Sequence, residues 1–175
     1  GLSVLTDREF FGGSSEDLKT ARYFNFCPIL RKDFMVDEYQ VIEAKSLGAD
    51  AILLIAAVLS KKEIEALASL AKSMGMEVLL EVHNKDELQS SLTAKVDMVG
   101  VNNRNLKTFE TNVVTSKELA EEIPNDFLKI SESGIDSPLV VRELKEYGFE
   151  GFLIGELFMK TTSPQKAARK FIADI

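Results

Sequence analysis

The feature that most constrains this chain is a regular alternation of short apolar runs with longer amphipathic segments. Seven runs rich in β-branched and aliphatic residues recur about 25 residues apart, from the start of the chain to its last quarter. They are Ser3–Thr6, Pro28–Phe34, Ala51–Val58, Glu77–Val82, Met98–Asn102, Phe127–Ser131 and Gly151–Gly155. Runs of this length and composition predict seven β-strands.

Capping residues and glycines mark helix boundaries between these runs. The side-chain oxygen of Ser, Thr, Asn or Asp can accept from the free N–H groups of a first helical turn. Candidate helix starts are Ser60 with Glu63, Asn84 with Glu87, Thr115 with Glu118, Ser137 with Pro138, and Ser163 with Pro164. Helix ends are indicated at Gly48, Gly75 and Gly148, because glycine adopts positive φ without strain. The predicted repeat is a strand followed by a helix.

Strands that alternate with helices and are almost entirely apolar require a parallel sheet with helices on both faces. Two folds fit, a doubly wound sheet and a (β/α)8 TIM barrel. Polar residues end most of the predicted strands, which favours the barrel, since a doubly wound sheet usually concentrates its ligand contacts at one switch point. Eight strands close a barrel. Only seven are predicted here, so we predict a single α/β TIM-barrel domain over residues 1–175 from which one βα unit is missing.

Composition limits the function classes. A net charge of −7 with 45% apolar residues fits a soluble globular chain, and no cluster of Lys or Arg is suited to nucleic acid or an anionic membrane. The longest apolar run, Ala51–Leu59, has nine residues, about half of a bilayer span. The single cysteine, Cys27, excludes an internal disulfide and fits a reducing compartment. We expect a cytoplasmic protein with no nucleic-acid or membrane partner.

Lys32 and Glu81 are the first candidates for chemistry. Lys32 follows an apolar run, and alternation puts it on the same face as Leu30 and Phe34, where a partly desolvated ammonium could act as a general acid. Glu81 stands inside an apolar strand, where a carboxylate is costly unless it is paired or functional, and burial would raise its pKa. Two alternatives remain open: Lys32 as an ordinary surface lysine, and a purely structural ion pair of Lys32 with Glu81.

Polar donors follow the fifth predicted strand. Asn102 and Arg104 offer amide and guanidinium groups suited to a carboxylate or hydroxyl of a substrate. For Asn103 and Asn105 we expect turn chemistry instead, because Asn is common in turns. The only histidine, His83, is expected to be a solvated or capping side chain rather than a catalytic one.

Glycines follow the last two predicted strands. Ser133 and Gly134 after one strand, and Gly155 after the next, would let backbone N–H groups approach a phosphate, and the loops after the last two strands of a barrel are its usual phosphate site. No His and Cys cluster has metal-ligand spacing, and no glycine-rich nucleotide motif follows a strand. We expect no metal, no cofactor, and a small phosphorylated substrate.

Seven segments, in order and at matching distances, closely resemble the indole-3-glycerol phosphate synthase family of tryptophan biosynthesis. These segments are Ser3–Asp7, Phe10–Ser14, Pro28–Phe34, Leu80–Val82, Val99–Leu106, Ser131–Ile135 and Phe152–Gly155. The resemblance implies a (β/α)8 barrel that converts 1-(2-carboxyphenylamino)-1-deoxyribulose 5-phosphate to indole-3-glycerol phosphate. Carbon dioxide and water are lost, and no cofactor takes part.

The same resemblance implies a role for each candidate residue. Lys32 would be the general acid for ring closure at the ribulose carbonyl, and Glu81 the proton acceptor in dehydration. Asn102 and Arg104 would orient the substrate. The remaining contacts would be Glu132 and Ser133 to hydroxyls, Gly134, Gly155 and the backbone of Glu156 to phosphate, and Phe34 and Leu54 to the anthranilate ring. The carboxylate of Glu156 would have to turn away from the phosphate, since the two charges repel.

One departure from the family bears on activity. Residue 1 stands just before the family's second strand, so the resemblance implies strands 2–8 of the barrel, with the first βα unit absent. We expect the family's N-terminal helix and first strand, with a further lysine and glutamate, to be missing. We expect little or no synthase activity from these 175 residues alone, and self-association through unpaired strand edges. Two alternatives remain: a related phosphosugar isomerase of the same fold, and an inactive barrel fragment retained for assembly.

Overall fold

Strands and helices alternate along the whole chain in the computed structural model, which describes residues 1–106 and 108–175. The strands in these residues are β1 Leu2–Leu5, β2 Ile29–Lys32, β3 Ala51–Ile55, β4 Glu77–Val82, β5 Met98–Asn102, β6 Leu128–Glu132 and β7 Phe149–Leu153. The helices are α1 Ser15–Phe24, α2 Glu38–Leu47, α3 Lys61–Ser73, α4 Lys85–Ser91, α5 Val114–Ala120, α6 Pro138–Glu146, α7 Glu156–Met159 and α8 Pro164–Ala173. All seven predicted strands are confirmed, although β3 ends at Ile55 and β7 begins at Phe149.

The chain divides into two compact units. The first comprises residues 1–82 and 86–98, and the second residues 83–85 and 99–175. In the first unit β1, β2, β3 and β4 are parallel neighbours in chain order. In the second unit β6 and β7 are parallel, with Glu132 paired with Leu153. The carboxyl ends of the strands within each unit therefore lie at one edge of its sheet.

Both faces of the central strands are buried. In β3 every residue is buried, and Ile52, Leu53 and Leu54 have no exposed surface. A parallel strand covered by helices on both faces needs apolar residues at every position, which explains why this run does not alternate with polar residues. The strands of the second unit are also buried, as shown by Val99 and Val101 in β5 and Phe149 in β7. The strand ends are held rigidly because the strands themselves form the core.

The helix starts predicted at Ser60, Ser137 and Ser163 are confirmed, since these residues cap α3, α6 and α8, whereas one predicted start disagrees. Ser60 and Glu63 form the predicted capping box of α3. The predicted start at Thr115 is wrong, because α5 begins at Val114 and the side-chain oxygen of Asn112 accepts from the Val114 amide at 3.0 Å. Asn112 lies three residues before the predicted cap and accepts from one N–H group of the first turn, whereas the cap residue Val113 makes no side-chain cap hydrogen bond.

The fold class is confirmed as α/β, with parallel strands each followed by a helix, as in a barrel that lacks its first unit. The prediction of one domain over residues 1–175 stays a prediction. Within the part of the chain that the structure describes, no helix is both long and apolar enough to cross a bilayer.

Candidate active site

The first unit brings the side chains of Lys32 and Glu81 together. Lys32 ends β2, Glu81 lies near the end of β4, and Lys32 Nζ donates to Glu81 Oε2 at 3.0 Å. The Lys32 side chain is 17% exposed and that of Glu81 is 5% exposed. Two opposite charges with this little solvent access interact more strongly than a surface pair. In this pair the Lys32 ammonium can donate a proton, and the Glu81 carboxylate can accept one.

Lys32 reaches Glu81 because its two neighbours are held on the opposite face of β2. Arg31 and Asp33 are only 4% and 6% exposed, and Arg31 Nη2 donates to Asp33 Oδ2 at 3.0 Å. The same guanidinium donates to Glu43 Oε2 at 2.7 Å and to Thr6 Oγ1 at 3.0 Å. A buried guanidinium with this many acceptors fixes the strand end and so the direction of Lys32.

An aromatic cluster lies beside Lys32. The ring of Phe34 stacks on Phe11 with centroids 4.8 Å apart, and Phe10 meets Phe34 edge-on at 5.3 Å. Lys32 Nζ lies 5.7 Å from the Phe11 centroid, within cation–π range. Sequence reasoning assigned Phe34 but gave no role to Phe10 and Phe11. The available signal was an aromatic pair directly before Gly12, in the segment between the first strand and the first helix.

Leu54, predicted to line the same ring pocket, has no exposed surface in β3. Its packing is that of a core residue, and its role at a ligand stays a prediction.

The second unit carries an ion-paired cluster at the end of β5 and the start of α7. Arg104 Nη2 donates to Glu156 Oε2 at 2.5 Å, and Lys160 Nζ lies 2.6 Å from Glu156 Oε1. Asn102 Oδ1 accepts from the Arg104 amide at 3.0 Å. The hydrogen bond from Lys160, and then that from Arg104, hold the pKa of Glu156 below its ordinary value. The carboxylate of Glu156 is therefore neutralised by two cations.

The two glycine loops leave neighbouring strands side by side. Ser133 and Gly134 follow β6 with φ of 65° and 71°, and Gly155 is the N-terminal cap residue of α7. A Cβ added to Gly155 would meet nothing within 4 Å, whereas one on Gly134 would lie 3.2 Å from Thr111 Cβ. Glu132, just before this turn, is only 2% exposed. Open space at Gly155 leaves room for an oxygen-rich ligand to reach the backbone.

The two asparagines assigned to turn chemistry behave differently. Asn105 Oδ1 accepts from the Thr108 amide at 3.2 Å, as expected in a turn. Asn103 is only 3% exposed and binds residues of β6 and α5 through its side chain. The expectation for Asn103 is wrong, because its amide lies inside the second unit instead of at the surface. A polar residue directly after an apolar strand was the available signal.

In residues 1–106 and 108–175, no group of three His, Cys, Asp or Glu side chains is arranged to hold a metal ion. The expectation of a site without metal stays a prediction.

Comparisons with known proteins identify the family of this chain. Residues 1–171 match the family model described as indole-3-glycerol phosphate synthase. Proteins with that name from Bacteroides thetaiotaomicron and Polaromonas sp. are 52% and 50% identical over 99% and 93% of this chain. Those alignments cover 66% and 62% of the two relatives. The chain thus spans about two thirds of the length of the curated relatives it matches.

Solved structures show the fold at much lower identity. A crystal structure of KGPDC from Streptococcus mutans aligns with a TM-score of 0.77 over 98% of this chain and 84% of its own, at 16% identity. The 3-keto-L-gulonate-6-phosphate decarboxylase from Vibrio cholerae aligns with a TM-score of 0.72 at 14% identity, over 98% of this chain and 85% of its own. At such identities the likeness concerns the barrel fold alone.

Proposed function

We propose that this chain, which belongs to the indole-3-glycerol phosphate synthase family, carries the ring-closing chemistry of that activity. The reaction converts 1-(2-carboxyphenylamino)-1-deoxyribulose 5-phosphate to indole-3-glycerol phosphate, carbon dioxide and water. The observation that carries the proposal is the contact of Lys32 Nζ with Glu81 Oε2 at 3.0 Å, at the carboxyl ends of two strands of one sheet. Family membership alone would not assign chemistry to these two side chains.

Ring closure needs a proton donor at the ribulose carbonyl. As the ring carbon that bears the carboxylate attacks the carbonyl carbon, the carbonyl oxygen gains negative charge and takes a proton from the Lys32 ammonium. The bond between the ring carbon and its carboxylate then breaks, carbon dioxide leaves, and the electron pair of that bond restores the aromatic ring. The Glu81 carboxylate holds the ammonium in place until the transfer.

Dehydration completes the indole and needs a base. The hydroxyl formed in the first step departs as the new double bond forms, Glu81 accepts the proton that the neighbouring substrate carbon loses, and that proton passes to the departing hydroxide to give water. Lys32 regains its own proton from solvent. The carboxylate is suited to this step because it is nearly enclosed and lies within hydrogen-bond distance of Lys32. The stacked rings of Phe34 and Phe11 offer an apolar face for the carboxyphenyl ring. Leu54 is proposed to line the same pocket.

Residues of the second unit are proposed to bind and orient. Backbone amides at Gly134, Gly155 and Glu156 bind the phosphate, and Glu132 and Ser133 contact substrate hydroxyls. Asn102 and Arg104 orient the substrate, with Arg104 as a bidentate donor. Local binding matters because the chain has a net charge of −7, which repels an anionic substrate at long range.

The test is the fluorescence increase on indole formation from the carboxyphenylamino substrate. We expect little turnover from the 175-residue chain and clear turnover from a version extended to the length of its relatives. In the extended protein, Glu81→Gln should lower kcat at least about 100-fold, because the base is lost. Glu63→Gln is the matched control, since Glu63 caps α3 and a Gln can make the same capping contact. Equal activity of the two variants would remove Glu81 from the mechanism.

We also propose a cytoplasmic location and self-association through β1. This strand pairs with β2, and its Leu2 and Leu5 are 38% and 40% exposed. A strand edge with exposed leucines favours pairing with a second chain. Sedimentation velocity of the 175-residue chain should show species larger than a monomer, and a single monomeric species would contradict the proposal.

A further inference from the structure

A buried hydrogen-bonded cluster in the second unit lies directly behind the turn after β6. Its members are Asn103, Ser116 and Ser131, which we call the Asn103 cluster, and they are 3%, 0% and 0% exposed. None of the roles assigned above involves these side chains. A polar cluster that is fully enclosed has to satisfy its own donors and acceptors, so its geometry is narrowly defined.

The side-chain amide of Asn103 points its donors at the turn. Asn103 Nδ2 lies 3.1 Å from the carbonyl oxygen of Glu132, 3.1 Å from that of Ser133, and 3.0 Å from Ser131 Oγ. The backbone amide of Asn103 also donates to the Glu132 carbonyl, at 2.9 Å. One residue therefore binds two successive carbonyl groups of the turn.

The oxygen of the same amide fixes its orientation. Asn103 Oδ1 accepts from the Ser116 amide at 3.0 Å and from Ser116 Oγ at 2.9 Å. The backbone N–H can only donate, so the oxygen of the Asn103 side chain must face Ser116 and the nitrogen must face the turn. Ser116 Oγ and Ser131 Oγ close the ring of contacts at 2.8 Å.

The turn needs such support because its backbone is unusual. Ser133 has a φ of 65°, in the left-handed region that residues with a Cβ rarely adopt. Gly134 follows with a φ of 71°. A non-glycine residue keeps this conformation only where its surroundings hold it there. The contact from Asn103 Nδ2 to the Ser133 carbonyl is a direct restraint on that residue.

We propose that Asn103 is a positioning residue, whose buried amide holds the turn Glu132–Ser133–Gly134 in the conformation that binds a phosphorylated ligand. The ligand rests on the proposed function, whereas the restraint on the turn stands on the contacts of Asn103. Asn103 touches no reacting atom in this scheme. It acts through Ser133 and Gly134, whose backbone it orients.

The experiment compares two alanine variants in the 175-residue chain. Asn103→Ala removes the donors to the turn, whereas Ser116→Ala removes a hydroxyl from the same cluster that does not contact the turn. The readouts are the backbone amide resonances and hydrogen exchange of Ser133 and Gly134, followed by titration with inorganic phosphate. A merely structural role predicts similar results for the two variants, since each loses buried hydrogen bonds.

We expect Asn103→Ala to shift the Gly134 amide resonance and speed its exchange, while Ser116→Ala leaves both close to the unmodified chain. The Kd for phosphate should rise about tenfold in Asn103→Ala, equivalent to about 1.4 kcal/mol. Equal shifts in the two variants, or an unchanged Gly134 in Asn103→Ala, would overturn the proposal.

Two further outcomes separate this proposal from the proposed function. If the unmodified chain does not bind phosphate, the proposed phosphate site is refuted. The Gly134 resonance still decides whether Asn103 restrains the turn. If Asn103→Ala does not fold, Asn103→Ser replaces it, because Ser keeps a small buried polar group with one donor instead of two. A Gly134 amide unchanged in Asn103→Ser would then refute the restraint.

Discussion

The buried guanidinium of Arg31 allows a quantitative prediction about the stability of the first unit. Replacing Arg31 by Met keeps the length and apolar stem of the side chain and removes the charge. Asp33 then remains with its side chain 8% exposed and without its guanidinium partner, although the Thr6 hydroxyl still donates to it at 2.7 Å. The substitution therefore leaves a buried negative charge.

The unpaired charge of Asp33 determines how much the free energy of unfolding falls in Arg31→Met. Removing one partner of a buried ion pair costs about 3 to 5 kcal/mol. The lower end, about 3 kcal/mol, applies here because the Thr6 hydroxyl and the Phe34 amide, at 2.8 Å from Asp33 Oδ1, still solvate the carboxylate. Adding Asp33→Asn removes the orphaned charge. The double variant Arg31→Met with Asp33→Asn should therefore lose less free energy of unfolding than the two single variants together, by about 1 to 2 kcal/mol.

The assay is urea unfolding followed by circular dichroism at constant pH. Arg8→Met is the control, because Arg8 is exposed and the same chemical change there should alter the free energy of unfolding by less than about 0.5 kcal/mol. A loss below about 1 kcal/mol in Arg31→Met, or strict additivity in the double variant, would refute the view that Arg31 neutralises a buried carboxylate.

Three further predictions concern stability. Lys160 and then Arg104 lower the pKa of Glu156 below its ordinary value of 4.5, so their contribution is complete above that value and is lost as the pH falls through the lower folded-state pKa. The difference in unfolding free energy between the unmodified chain and Glu156→Gln should shrink as the pH falls below about 4.5, and a constant difference would contradict it. Leu54→Ala should cost about 3 kcal/mol in urea unfolding, since Leu54 is fully buried. Ser60→Ala should cost about 1 kcal/mol, because it removes the cap of α3, and an unchanged midpoint would exclude that role.

Sequence reasoning succeeded where local pattern and buried position coincide. The predicted strands are confirmed because a strand covered on both faces must be apolar throughout, which leaves a clear run such as that of β3. The alternation along β2 correctly separated Arg31 and Asp33 from Lys32. That separation depends only on the period of two in a strand.

Sequence reasoning failed where a side chain contacts residues that are far away in the sequence. Asn103 binds Ser131, 28 residues away, and no local pattern distinguishes such an amide from one in a turn. Thr115 lies inside α5 because the helix begins at Val114, and its cap residue Val113 has no side-chain acceptor; Asn112, one residue before the cap, accepts from the Val114 amide instead. Phe10 and Phe11 acquire their importance only when the loop after β1 folds against Phe34.

The four residues of β2 perform two tasks on opposite faces of one strand. One face holds a structural ion cluster, and the other presents the ammonium proposed for catalysis. Insertion of a single residue between Ile29 and Arg31 would exchange the two faces, sending the lysine into the cluster and the arginine toward Glu81. The spacing of these residues along β2 is therefore as strongly constrained as their chemical identity.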